Sequence, residues 1–371
     1  IKDELDIALY QSFSLLGQDR SRSSPLADLL GAAGIAAGAR IGVAGWKHFG
    51  PAESPTPDTW LEIPAYIVDT LRAIAGRMDL VRNANAIFMD ASRGLRAIND
   101  VDQLARFEFA ATLTSQAVRD AIFGLRPGMT EYEVVQAMRL TGLPLSCHLM
   151  LSSGPRASTG LPSPSSRVIQ RGDPFTVSYG VWGALNCRAG FVAESEADLP
   201  GAARDYVDRL VRPYFAAIAA WYEQVGIGVP GGDLYAAIHE RLGDPFFGLG
   251  LNPGHLIHLD EWVNSPIYAG STEVLRSGMA LQVDVIPATG SPYFTANVED
   301  GIALADEALR DEFTHRYPEA WQRIQARRAF MRDALGIRLK PEVLPFSNIP
   351  AYLPPYLLTP QRALRLAGGV A

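Results

Sequence analysis

Leu125-Arg126-Pro127-Gly128-Met129-Thr130-Glu131-Tyr132-Glu133-Val134 closes one helix and opens the next. Pro127 cannot continue a helix, and Gly128 gives the chain freedom to turn. Thr130 followed three residues later by Glu133 is a capping box, in which each side chain satisfies a free amide of the other's backbone. Upstream, Asn99-Asp100 followed by Gln103 predicts the start of the preceding helix, with Leu104, Phe107, Ala111, Val118 and Ile122 as its inward stripe. Downstream of Gly142 the pattern changes to strands at 175–181 and 185–193, then helices at 202–224 and 232–242. Pro213 predicts that the first of these helices starts late or kinks. Further strands are expected at 246–257, 280–287 and 293–305. A helical tail follows from 316 to about 335, and then an irregular stretch with Pro341, Pro345, Pro350, Pro354 and Pro355.

Residues 1 to about 95 read as a small α/β domain. Ala39-Arg40-Ile41-Gly42-Val43-Ala44 is a short buried strand, 58–77 is helical, and Ala86-Ile87-Phe88-Met89 resembles a closing strand. The whole sequence has 371 residues, enough for two domains. It is 48% hydrophobic and 20% charged, the balance of a globular protein in water. A net charge of −7 argues against a nucleic-acid surface, and no run of 18 apolar residues offers a membrane span. With only Cys147 and Cys187 and no basic-plus-apolar leader in view, the expectation is a cytoplasmic protein.

Four segments in order carry a family resemblance: 95–111, 125–134, Arg167-Val168-Ile169-Gln170-Arg171-Gly172-Asp173, and Leu281-Gln282-Val283-Asp284-Val285-Ile286-Pro287 with Asn297-Val298-Glu299-Asp300-Gly301. Together they resemble the creatinase, prolidase and methionine aminopeptidase superfamily. The resemblance implies an α+β fold: a small α/β N-terminal domain, residues 1–95, followed by a pita-bread domain, residues 96–371, with a Pro-rich tail. In metal-dependent members five side chains hold two ions. The matching positions here are Ser178, a place at or beside Cys187, His255, Asp284 and Glu299. A further family histidine aligns with Leu161, and creatinase's return-strand Glu aligns with Ala189. The resemblance also implies a homodimer in which one subunit's N-terminal domain closes over the other's cleft. Tyr352-Leu353-Pro354-Pro355-Tyr356 offers apolar surface for such an interface.

Strand alternation independently predicts a polar cavity. Asp284 shares a strand face with Gln282, and Glu299 shares one with Thr295 and Asn297, opposite Val298, Ile302 and Leu304. A carboxylate within an apolar strand is costly unless it is paired or bound to a cation. Gly254-His255-Leu256-Ile257-His258-Leu259-Asp260-Glu261-Trp262 gathers two of the six histidines beside two acids, a set suited to proton transfer. His255, His258, Asp284 and Glu299 are therefore the candidate catalytic residues. Ser178, Tyr179, Cys187, Asp260 and Glu261 are the candidate substrate contacts. His48, His148, His239 and His315 have no companions and read as structural or surface residues, and Gly228-Val229-Pro230-Gly231-Gly232-Asp233 as a turn and cap. No metal or other cofactor is expected. The function expected is metal-independent hydrolysis, or related lysis, of a C–N bond in a small polar molecule. Two alternatives stay open: one Fe, Mn or Zn ion on His255, Asp284 and Glu299, or an inactive binding or scaffold protein.

Overall fold

The computed structural model describes residues 5–11, 15–46, 49–262 and 264–367; His48 lies outside them. Backbone contacts divide the chain into two compact units, Ile1–Leu95 and Arg96–Ala371. The first unit contains α1 (Leu26–Ala32), β1 (Ile41–Val43), α2 (Ala65–Ala75), β2 (Val81–Asn83) and α3 (Ala86–Met89). β1 and β2 pair in parallel, and Val43, Leu71, Ala75 and Val81 form the core. The closing strand is therefore β2, five residues earlier than expected, and 86–89 is helical. In that stretch Ile87 and Phe88 are exposed and only Met89 is buried, so three apolar residues in a row did not mark a buried strand.

The second unit opens with α4 (Val101–Gly124), whose Asp100 and Gln103 form a capping box. α5 (Glu131–Ala137) starts with the Thr130–Glu133 capping box, as the opening decapeptide predicts. Then come β3 (Met150–Ser153), β4 (Pro174–Val181), β5 (Ala184–Phe191), α6 (Arg212–Gln224), α7 (Gly231–Leu242), β6 (His255–Leu256), β7 (Ala280–Asp284), β8 (Asn297–Leu304), α8 (Glu307–Arg316), α9 (Pro318–Phe330) and β9 (Val343–Pro345). Pro213 follows directly on a π-helical turn at Val207–Val211, and that wider turn accommodates a residue with no amide to donate within a continuous helix. The strand expected at 246–257 shrinks to two residues, because Pro245–Phe247 forms a 3₁₀ turn and 248–253 loops before Gly254 turns the chain into β6.

The strands form one antiparallel sheet in the order β3-β4-β5-β8-β7-β6, with β9 beside β8. This mixed arrangement of helices and a curled antiparallel sheet is the pita-bread fold. α4 packs against β4 and β5. Phe175, Val177, Tyr179 and Val181 of β4 join the core on that side. The alternate residues Thr176 and Ser178 face the opposite side, which is the cleft. The Pro-rich tail is not spare interface surface. Tyr352 and Leu353 are buried within their own unit, where the Tyr352 carbonyl accepts from Arg188 and the Tyr352 hydroxyl donates to the Pro360 carbonyl.

Candidate active site

Strand register assembles the site. Met150 pairs with Ser178, Ser178 with Cys187, Cys187 with Glu299, and Glu299 with Asp284, so one row of side chains crosses four strand boundaries of the sheet. Two residues along, Ser152, Thr176, Ala189 and Asn297 form the next row. His255 enters from β6 opposite Gln282. Gly254 sets it there: its φ is +129°, and a Cβ would stand 2.7 Å from the Gln282 carbonyl oxygen. Glu261 arrives from the loop after β6. The rows floor a cleft of about 770 Å³ that also takes in Leu161, Leu251, Trp262, Ile286 and Phe294.

His255 Nδ1 lies 3.0 Å from the Leu256 carbonyl oxygen. A carbonyl only accepts, so Nδ1 carries the proton and Nε2 turns toward the carboxylates that line the cleft. There Nε2 is 3.1 Å from Glu261 Oε1 and 3.9 Å from both Asp284 Oδ2 and Glu299 Oε1. None of these contacts has hydrogen-bond alignment. His255 Nε2, Asp284 Oδ1 and Glu299 Oε1 are all buried without a hydrogen-bond partner. Three carboxylates around one ring nitrogen need a positive charge among them. Burial opposes charge on the ring, but Glu261 and Glu299 outweigh it and hold His255 well above its ordinary range. Burial, moderated by His255, pushes Asp284 up to about 6. Burial and then the charge of Asp284 push Glu299 well above the usual carboxylate range.

Cys187 is fully enclosed, accepts a hydrogen bond from Asn297 Nδ2 at 3.3 Å, and is pushed up to about 12 by burial and then Glu299. Without a metal beside it, that burial and charge hold it as the thiol, a poor nucleophile. Three expected residues stand apart. Tyr179 points into the core, because alternation puts it on the face opposite Ser178. His258 packs edge-on against Phe107 at 5.3 Å, and burial, then Arg96, lowers it to about 4. Asp260 is held by Arg96 at 2.6 Å. Asn297, which strand alternation placed on the Glu299 face without a role, lines the cleft, and so does Thr176, a step of two from Ser178 that the sequence reading did not take.

Residues 105–309 match the profile of Metallopeptidase family M24. The chain belongs to that family. A relative described as an uncharacterized peptidase, YqhT of Bacillus subtilis (strain 168), is 23% identical over 227 residues, 58% of this chain. The chain spans 62% of that curated relative's length. Among solved structures, the Xaa-Pro dipeptidase from Bacillus anthracis shares the fold at TM-score 0.54 and 20% identity, over 66% of this chain and 68% of its own. The prolidase from Pyrococcus horikoshii OT3 does so at TM-score 0.57 and 17% identity, over 76% and 75%.

Membership of a metallopeptidase family corrects the expectation that no cofactor is involved. The geometry points the same way. Among the described residues, His255, Glu261 and Glu299 form the one group of such side chains whose ligand atoms all lie within 4.8 Å of one another. Glu261 stands in this group where Asp284 was expected, although Asp284 Oδ2 is also 3.9 Å from Nε2. The partnerless Nε2 and Glu299 Oε1 fit one cation.

Proposed function

We propose that this chain hydrolyses a C–N bond, peptide or other amide, in a small substrate bound in the cleft. The observation that carries the reading is the convergence of Glu299, Asp284 and Glu261 on His255 Nε2 at the floor of an open cavity. His255, Glu261 and Glu299 would hold a divalent cation, which when bound supplies Lewis-acid polarisation and lowers the pKa of a bound water. The chain's own residues do the remaining work. Asp284 and Glu299 are neighbours across β7 and β8. As a ligand of the cation Glu299 would stay ionised, which leaves Asp284, buried beside that charge, as the partner that carries the proton. The ionised partner takes a proton from the attacking water as its oxygen bonds to the acyl carbon. The protonated partner gives its proton to the nitrogen as the C–N bond breaks. The Nδ1 hydrogen bond to Leu256 fixes the orientation of His255. Ser178 offers a hydroxyl to the substrate, and Cys187 a neutral wall.

The test is product formation from a panel of dipeptides and their carboxamides, followed by mass spectrometry with and without Mn²⁺. Wild type should cleave at least one of them. Glu299→Gln and Asp284→Asn should each lose on the order of 10²–10⁴ in rate while keeping the native fold. Full activity in either variant removes that residue from the chemistry, and full activity in both ends the reading.

A further inference from the structure

The cleft is strongly asymmetric in chemistry. Its charged lining residues are Glu261, Asp284 and Glu299, and none of its described lining residues is Lys or Arg. A single divalent cation against three carboxylates leaves that end net negative. So does an imidazolium at His255 with one proton shared between Asp284 and Glu299. The rest of the lining is largely apolar, with Leu161, Leu251, Ile286, Pro287, Phe294 and Trp262, whose ring stands edge-on to His255 at 6.0 Å. Asn297, two residues before Glu299 on β8, spends its Nδ2 on the Cys187 sulfur, and its Oδ1 is buried without a partner. Asn297 is 4% exposed and lines the cavity, so Oδ1 is an acceptor waiting for a donor.

We propose that this site selects substrates that carry no carboxylate: an amine or amide N–H directed at Asn297 and the acidic end, with an apolar group against Trp262 and Phe294. The proposal rests on the C–N hydrolase reading and names its substrate class. A carboxylate entering this cavity gives up its hydration, meets no guanidinium or ammonium among the lining residues, and faces like charge. A carboxamide of the same shape avoids the repulsion and supplies two N–H donors. A cavity of about 770 Å³ holds a molecule of dipeptide size.

Titration calorimetry on the full chain with Phe-Pro and with Phe-Pro carboxamide isolates the carboxylate, since the two differ nowhere else. The carboxamide should bind about tenfold more tightly at low ionic strength, and the gap should narrow as salt screens the repulsion. Glu261→Gln should narrow it too, and Asn297→Leu should weaken the carboxamide alone. Tighter or equal binding of the free acid overturns the proposal, as does failure of both ligands to bind. The readout is affinity, so it is separable from the hydrolase reading. Loss of the preference with turnover intact sinks the substrate class alone, and an unaltered preference with Glu299→Gln still active sinks the mechanism alone.

Discussion

His255 and His258 stand three residues apart and meet opposite electrostatics. His255 is ringed by carboxylates, whereas His258 sits edge-on to Phe107 with Arg96 close by. Burial lowers His258 to about 4, so it is neutral at pH 7 and cannot serve as the proton donor that its place beside two acids suggested. That neighbourhood misled because Asp260 is taken up by Arg96, and the ring itself packs on Phe107. Tyr179 was a different error: a strand residue adjacent to Ser178 must face the other way. The lowered value of His258 has a consequence for stability. An unfolded histidine titrates near 6.5, so between about pH 6.5 and 4 the unfolded chain takes up a proton that the native chain refuses. Stability is therefore lost as pH falls through this window. The slope is at most about 1.4 kcal/mol per pH unit, and smaller for a ring that is partly exposed. His258→Phe should unfold in guanidinium with a shallower dependence between pH 7 and 5 than wild type. Equal slopes would show that the ring is as easily protonated in the fold as out of it.

β8 carries two consecutive carboxylates with opposite fates. Asp300 is fully buried on the helix side and paired with Arg188 at 2.8 Å, and it also accepts from Asn186 and from the Ala351 amide. Glu299, on the cleft side, has a buried oxygen with no hydrogen-bond partner. The first arrangement holds the strand and the Pro-rich tail in place, and the second stores an unsatisfied group for chemistry. Arg188→Met should thus destabilise the protein by about 3–5 kcal/mol, because it leaves Asp300 buried without its countercharge. Glu299→Gln should cost nothing, or raise stability in metal-free buffer, as expected where a strained site trades stability for function. Denaturant titration of the two variants checks the contrast, and a large loss in Glu299→Gln would make that residue structural. The alternation that separates 299 from 300 was legible in the sequence. The pairing of Cys187 with Glu299, and of Glu299 with Asp284, was not. Long connections, through α6 and α7 on one side and residues 285–296 on the other, separate these strands, and no hairpin turn sets their register.

Across the molecule, the four motif segments were enough to place the fold because each marks a helix end or a strand that the topology requires. They did not reveal Glu261 as a ligand candidate, since it comes from a loop, where no periodicity fixes a side chain's direction. His255, Glu261 and Glu299 are brought within reach of one another only when β6, its following loop and β8 are folded together. A cation bound there binds the native state and not the unfolded chain, so it must stabilise the fold. At a free concentration a hundredfold above its Kd, the gain is about 2.7 kcal/mol. Wild-type protein stripped with EDTA should therefore regain melting temperature as Mn²⁺, Co²⁺ or Zn²⁺ is added, and titration calorimetry should give one equivalent per chain. Glu261→Gln removes one anionic ligand of three and should shift that titration to about tenfold higher metal, while its metal-free melting temperature stays near that of wild type. Two equivalents bound at similar affinity would mean that Ser178 and Cys187 do not prevent a second ion. A melting temperature indifferent to all three ions would mean that the carboxylates around His255 are balanced by protons alone.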